Sequence, residues 1–171
     1  MIEPSLESSV RKTPIHDLSI GKCFVVYEER PNYAFDVFAD LVKNQIHGLA
    51  FIPNDPEELK ESHGLVKTPI LKTIPGGGPS DISFRSLDDR DYMLYLIRSF
   101  TSKSGNSVIL LGGLEMLASS NTLAAIMFVK KAEQIVRGSK SRLILSISGY
   151  MVEKEEIKEL LENFVELAPK D

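Results

Sequence analysis

The residues that follow the first apolar run of this chain bear on whether it could bind a phosphate group. A phosphate-binding loop needs G-x-x-x-x-G-K-[ST], because its glycines let backbone N–H groups converge on the anion while the lysine and the hydroxyl serve phosphate and magnesium. Here the apolar run at 23–27 is followed by EERPNY at 28–33. The two carboxylates repel phosphate, Pro31 has no N–H to donate, and Lys22 precedes the run, at the other end of the expected strand. The sequence therefore argues against ATP hydrolysis.

Two further features of the sequence, a glycine run and a single acid, each admit both a functional and a structural interpretation. The triple glycine at 76–78 could approach an anion closely. A flexible connection also uses such a run, and we favour the connection. Glu115 could be an acid that serves a nucleotide, or a charge at the start of a helix, where the helix dipole favours acids. We favour the helix start, because no metal-ligand partner accompanies it.

The residue types that most often carry catalysis or bind metal are isolated here. His16, His47 and His63 share no ligand spacing, and we expect them on the surface. Cys23 is the single cysteine and lies within an apolar run, so we expect a core residue and neither a disulfide nor a nucleophile. No serine stands in a G-x-S-x-G motif. The sequence therefore predicts no catalytic residue, no metal site and no cofactor.

A local excess of cations could contact nucleic acid. It has only Glu133 against it and comprises Lys130, Lys131, Arg137, Lys140 and Arg142. Cations are also favoured near the C-terminus of a helix, and the tract has no interleaved aromatic residues on which bases could stack. We favour a solvated surface and keep nucleic-acid contact as the alternative.

Composition bounds the class of protein. The chain has 171 residues, of which 43% are hydrophobic and 26% are charged, and this length and composition are typical of one globular domain. Its formal net charge of -4 gives no overall attraction to nucleic acid or to an anionic membrane. Residues 1–19 are expected to form a polar arm and 20–171 a single domain. The apolar stretch at 108–129 contains Glu115 and the polar break at 119–121, so no membrane span is expected. A cytoplasmic location is the expectation.

The apolar patterns predict alternating strands and helices. Strands are expected at 22–28, 48–52, 68–74, 107–111 and 142–147, and helices across 35–42, 57–62, 88–100, 122–137 and 152–167. Such alternation predicts an α/β fold of three layers, with a mostly parallel five-stranded sheet covered by helices on both faces. The strand at 107–111 is the most apolar and is therefore expected to be central.

In such sheets, ligands bind beyond the carboxyl ends of the strands. The loops expected at that edge supply the residues of a candidate crevice for a ligand or a partner, namely Glu29, Arg30, Asn32, Tyr33, Asn54, Gly112, Glu115 and Tyr150. Tyr33, Tyr150 and Met151 are apolar residues that could contact a protein partner or could simply cap the core.

Three blocks of sequence carry a resemblance to a known family. They are HGLVKTPILKTIP, SVILLGGLEMLASSN and SRLILSISGYMVEKEEIKEL, and they follow a GKCFVVYEE opening. At these spacings, across roughly residues 20 to 165, the chain resembles the archaeal Domain of Unknown Function 835 family. The resemblance implies a RecA-like fold without a phosphate loop. Where that family usually has Asp-Gly-Leu-Glu-Tyr-Leu, this chain has GGLEML at 112–117, so the acid at the strand end is missing.

These observations favour a non-catalytic regulatory or adaptor domain on a degenerate RecA-like scaffold. It would bind a protein partner or a second copy of itself as a homodimer. One alternative is a factor that docks on a nucleic-acid-containing assembly through the basic tract at 130–142. A second alternative is residual nucleotide binding without hydrolysis.

Overall fold

A computed structural model describes residues 18–73, 82–84 and 86–169, with the side chain of Tyr150 excepted. The polar arm expected over residues 1–19 therefore lies outside the described residues except for its last two positions. His16 and the triple glycine at 76–78 also lie outside them.

Strands and helices alternate along the described chain, as the apolar patterns predict. The strands are β1 (Cys23–Tyr27), β2 (His47–Ile52), β3 (Ile70–Lys72), β4 (Ser107–Leu111), β5 (Ser141–Ile147) and β6 (Val165–Glu166). The helices are α1 (Tyr33–Lys43), α2 (Pro56–His63), α3 (Leu87–Ser104), α4 (Glu115–Ala118), α5 (Thr122–Arg137) and α6 (Glu155–Leu160). Short 3₁₀ turns at Gly149–Glu153 and Leu161–Asn163 flank α6.

The six strands form one parallel sheet in the order β3-β2-β4-β5-β1-β6. All five residues of β4 are buried, and this strand lies between β2 and β5, which confirms its predicted central place. The three-layer α/β fold is confirmed too, with an all-parallel sheet of six strands where five were expected.

Each face of the sheet has its own core, because successive side chains of a strand point to opposite faces. Phe24 and Val26 of β1 pack in the cluster that contains the buried side of α1. Cys23 and Val25 pack in the other cluster, which contains the buried sides of α3, α5 and α6. The outer surface of α3 and α5 therefore forms one side of the molecule.

The last predicted helix was wrong over much of its length. The pattern at 152–167 predicts one helix, but the α-helix covers only Glu155–Leu160, and the chain then passes through the 3₁₀ turn at Leu161–Asn163 into β6. The apolar residues that made the pattern are buried in this bent form, namely Ile157, Leu160, Leu161 and Phe164. In the extended form, β6 pairs with β1, and the N–H of Leu167 donates to the carbonyl of Val25 at 2.9 Å. The outer edge of β1 thereby gains backbone partners that a continuous helix would leave it without.

The start of α5 follows from its sequence as predicted. The side chain of Asn121 accepts a hydrogen bond from the N–H of Ala124 at 3.0 Å, which satisfies one of the free amides of the first turn.

Among the described helices, none combines the length and the apolar character that crossing a membrane requires.

Candidate functional site at the carboxyl edge of the sheet

The loops that follow β1, β2 and β4 meet at the carboxyl edge of the sheet. The Asn54 Nδ2 group donates to the carbonyl of Pro31 at 3.3 Å, which joins the loop after β2 to the loop after β1. The N–H of Gly112 donates to the carbonyl of Phe51 at 2.7 Å. The predicted crevice residues on these loops are therefore brought together.

The carboxylate of Glu28 lies on the N-terminus of α1. Its two oxygens accept hydrogen bonds from the backbone N–H groups of Asn32 at 3.1 Å, Tyr33 at 2.9 Å and Ala34 at 3.2 Å. The Ser146 hydroxyl of β5 donates to the same carboxylate at 2.9 Å. The Asn32 side chain makes no capping bond, so Glu28, the first residue after β1, caps this helix instead.

This arrangement determines what the helix N-terminus can still bind. The first N–H groups of a helix and its dipole attract an anion, and phosphate binds at many such helix ends. Here three of those N–H groups already donate to a carboxylate of the same chain. A phosphate would have to displace Glu28 and would meet its negative charge.

Gly112 and Pro31 fill the neighbouring part of the edge. Both are buried, and a Cβ atom added at Gly112 would lie 2.5 Å from the Cγ atom of Pro31 and 3.5 Å from the Cδ atom of Pro53. Real Cβ atoms do not approach so closely, so no side chain fits at 112 while Pro31 keeps its position. Pro31, in the loop after β1, and Gly112, at the end of β4, therefore form one packed contact.

Thr73 and Asn54 each place a buried polar side-chain atom at this edge. The Thr73 Oγ1 atom lies close to Gly113, which adopts a φ of +84°, and a Cβ atom added at Gly113 would lie 2.9 Å from it. Within the part of the chain that the structure describes, Thr73 Oγ1 and Asn54 Oδ1 have no hydrogen-bond partner.

Glu115 occupies the start of the short helix α4, as favoured for it. Its carboxylate accepts the N–H of Ser148 at 2.5 Å, which links the loop after β4 to the end of β5. Glu28 and Glu115 are thus both engaged by the end of β5, one through Ser146 and the other through Ser148.

No protein-family model and no curated protein matches this chain.

The remaining crevice residues divide by exposure. Glu29, Arg30 and Asn32 are exposed at the edge. Tyr33 is buried and so caps the core beneath the loop, as Met151 does. The backbone of Tyr150 lies in the 3₁₀ turn after β5, and its side chain is not described. Of the two interpretations of Tyr33 and Met151, burial favours capping of the core over contact with a partner.

The interpretation of the basic tract changes at Arg142. This side chain is only 8% exposed, and its guanidinium donates to the carbonyls of Leu18 and Ser107 and to the Asn106 Oδ1 atom. Burial lowers the pKa of the Arg142 guanidinium. Arg142 ties the start of β5 to its neighbours and is withdrawn from the surface tract.

The other members of the tract remain at the surface. Arg137 is bound to Glu133 at 2.8 Å and donates through Nη2 to the carbonyl of Asn163 at 3.0 Å. Lys130, Lys131 and Lys140 are exposed. Three lysines without Arg142 are a weaker phosphate-binding surface than the five cations that the sequence suggested.

We predict that Arg142→Met lowers the free energy of unfolding by about 2 kcal/mol. Methionine keeps much of the apolar stem, but the three acceptors of the guanidinium lose a charged donor. Urea unfolding followed by circular dichroism measures the change. The exposed Lys140→Met is the control and should change the free energy by less than about 0.5 kcal/mol. Equal effects of the two substitutions would contradict the inward orientation of Arg142.

The surroundings of Cys23 and of the two described histidines bear on whether these side chains could react or bind a metal ion. Burial raises the pKa of the Cys23 thiol to about 12, which leaves it unreactive at neutral pH. His47 is exposed, whereas His63 is partly buried, with its Nε2 atom 3.0 Å from Asp36 and its ring against Phe35. Among the described residues, no three acidic, histidine or cysteine side chains lie close enough together to hold a metal ion.

Sequence reasoning missed the role of Glu28 and Pro31. The signal was present, because Glu28 stands four to six residues before the amides at 32–34, which directly precede the predicted helix at 35–42. Pattern reading credits such capping to the residue that starts the helix, here Asn32, and does not look back into the strand.

Proposed function

We propose that this chain is a non-catalytic regulatory or adaptor domain that binds a protein partner, on a RecA-like scaffold whose nucleotide crevice is closed by its own residues. The observation that carries the proposal is the carboxylate of Glu28 on the N-terminus of α1. That carboxylate takes the place in which a phosphate would be bound.

Two features of the described residues support the loss of catalysis. The contact between Gly112 and Pro31 leaves no space for an acid at the end of β4. Glu115, the acid that remains nearby, is engaged by the N–H of Ser148. In an adaptor, the fold serves to present a binding surface, and the function depends on which partner that surface binds.

Nucleic-acid docking is the weaker alternative. Phosphate contacts require exposed cations without carboxylate partners, and Arg142 and Arg137 do not meet that condition. Residual nucleotide binding is the other alternative, and it requires Glu28 to leave the helix amides.

The experiment that tests the proposal uses the full chain, tagged, to capture what it binds in an extract of the source cells. We expect a protein partner that remains bound at 0.5 M salt, after nuclease treatment and with Mg·ATP added. Material lost at high salt or after nuclease would favour nucleic-acid docking, because phosphate contacts weaken steeply with salt. A partner released by Mg·ATP would contradict a closed crevice.

A further inference from the structure

The outer surface of α3 and α5 carries a groove that the nucleotide crevice does not include. Both helices lead into strands of the same parallel sheet, so they run in the same direction and pack side by side. Three adjoining hollows follow the seam between them from the start of α3 to its end. We refer to these hollows together as the α3/α5 groove.

The beginning of the α3/α5 groove exposes apolar side chains beside the charged residues Arg90, Asp91 and Lys131. Leu87 and Met127 line it, and they are 62% and 49% exposed. Tyr95 lines the next section at 62% exposed and stacks on Tyr92, with ring centroids 6.4 Å apart. Single exposed apolar residues are ordinary on a protein surface, but several that line one groove mark an interaction site.

The far end of the α3/α5 groove is positive. Arg98 and Lys140 line the last hollow, whereas Lys131 lines the first two, and all three side chains are exposed. Among the described residues, none of the three forms an ion pair. Asp91 is the acid among the lining residues. This local charge contrasts with the net charge of -4 of the whole chain.

The helix dipole does not account for two of these cations, Arg98 and Lys131. It favours positive charge within the last turn of a helix. Arg98 lies six residues before the end of α3, and Lys131 lies six residues before the end of α5. Their charge is therefore available for a partner of opposite sign.

We propose that the α3/α5 groove binds an amphipathic helix of another protein, with apolar residues over Leu87 and Met127 and acidic residues over Arg98, Lys131 and Lys140. This inference rests on the proposed function and names the partner's chemistry. Complementary charge fixes the register and orientation of such a helix, and the apolar residues supply most of the affinity. The 18 residues of α3 span about 27 Å, which matches a partner helix of roughly five turns.

The apolar half of the groove favours a protein helix over nucleic acid. Aliphatic side chains such as Leu87 and Met127 offer nothing to a phosphate backbone. Tyr92 and Tyr95 do supply the exposed aromatic rings that the basic tract itself lacks, and such rings can stack on bases. Nucleic acid is therefore a named outcome of the test.

The test compares charge-reversed variants of the tagged full chain as baits in source-cell extract. Arg98→Glu with Lys131→Glu should lower the recovery of the protein partner at least about tenfold, since a loss of 1.4 kcal/mol suffices for that factor. The matched control is Lys22→Glu with Lys130→Glu, which makes the same change in net charge at two exposed lysines that lie outside the hollows and outside the last turn of a helix. This control should retain the partner within about twofold. Unchanged melting temperatures verify that both variants fold.

A second variant and a photo-crosslinker identify the occupant. Tyr95→Ser with Met127→Ser should also lose the partner, whereas Val66→Ser, at a side chain 82% exposed elsewhere, should not. A photoreactive residue at Met127 should crosslink to a peptide with acidic residues beside an i, i+3, i+4 apolar pattern. A crosslink to residues 1–17, to another copy of the chain or to nucleic acid would overturn the proposal.

The outcomes separate the two proposals. If the wild-type chain captures a partner and the groove variants capture it equally, the groove is not the binding site and the proposed function stands. If the wild-type chain captures no protein partner, the proposed function fails and the inference fails with it.

Discussion

Gly112→Asp is expected to lower the free energy of unfolding by about 3 kcal/mol or more, although it restores the acid that the resembled family has at this strand end. The added Cβ atom would lie 2.5 Å from the Cγ atom of Pro31, so the loop after β1 or the end of β4 has to move. Overpacking of this kind costs about 1–3 kcal/mol, and the carboxylate would also be buried. Urea unfolding of the wild-type and variant chains measures the difference.

The control for this substitution is Gly149→Asp, because nothing lies within 4 Å of a Cβ atom at that position. It should change the free energy by less than about 0.5 kcal/mol. Pro31→Ala should recover part of the loss caused by Gly112→Ala, and the coupling between the two positions should reach about 1 kcal/mol in a double-mutant cycle. Additive effects would show that Pro31 and Gly112 do not share one packed contact.

Glu28→Ala is expected to lower the free energy of unfolding by about 2 to 3 kcal/mol. The carboxylate accepts three backbone N–H groups at the start of α1 and the hydroxyl of Ser146. A single helix cap contributes about 1 kcal/mol, and hydrogen bonds to a charged group contribute about 1.5–3 kcal/mol. Glu28→Gln should lose less than alanine, because the amide oxygen can still accept.

The neighbouring Glu29→Ala is the matched control, since Glu29 is exposed and makes no hydrogen bond among the described residues. Its stability should remain within about 0.5 kcal/mol of the wild type. Inorganic phosphate should stabilise Glu28→Ala more than Glu29→Ala, because only the first variant leaves the helix amides free for an anion. Identical responses to phosphate would contradict the cap at Glu28.

Most of the fold was predictable because its elements carry strong local patterns. The continuous apolar run of β4 indicated a strand covered on both faces, and Asn121 before a helical stripe fixed the start of α5. The segment after β5 was mispredicted because burial of Ile157 and Phe164 suits a helix and a bent chain equally. The extended end is favoured by the open edge of β1, which lies far away in sequence.

At the candidate site, the sequence reveals which motif is absent but not which residues pack together. The sequence shows that residues 28–33 carry no phosphate-loop motif and that position 112 is a glycine. Pro31 and Gly112 are 81 residues apart, however, and their contact exists only in the fold. Arg142 was misplaced for the same reason, since its acceptors Leu18 and Asn106 come from other parts of the chain. The groove between α3 and α5 was missed because each helix carries only half of it.

The measurement that tests the closed crevice most directly is the melting temperature of the wild-type chain with and without millimolar Mg·ATP or Mg·GTP. Because Glu28 occupies the amides of α1 and Pro31 fills the space beside Gly112, we predict no change in Tm. A nucleotide present at 100 times its Kd would add about 2.7 kcal/mol of stability. For a chain of this size, that addition raises Tm by at least about 5 °C. A rise of that size in the wild type, and its loss in a variant of the Glu29–Asn32 loop, would contradict the account.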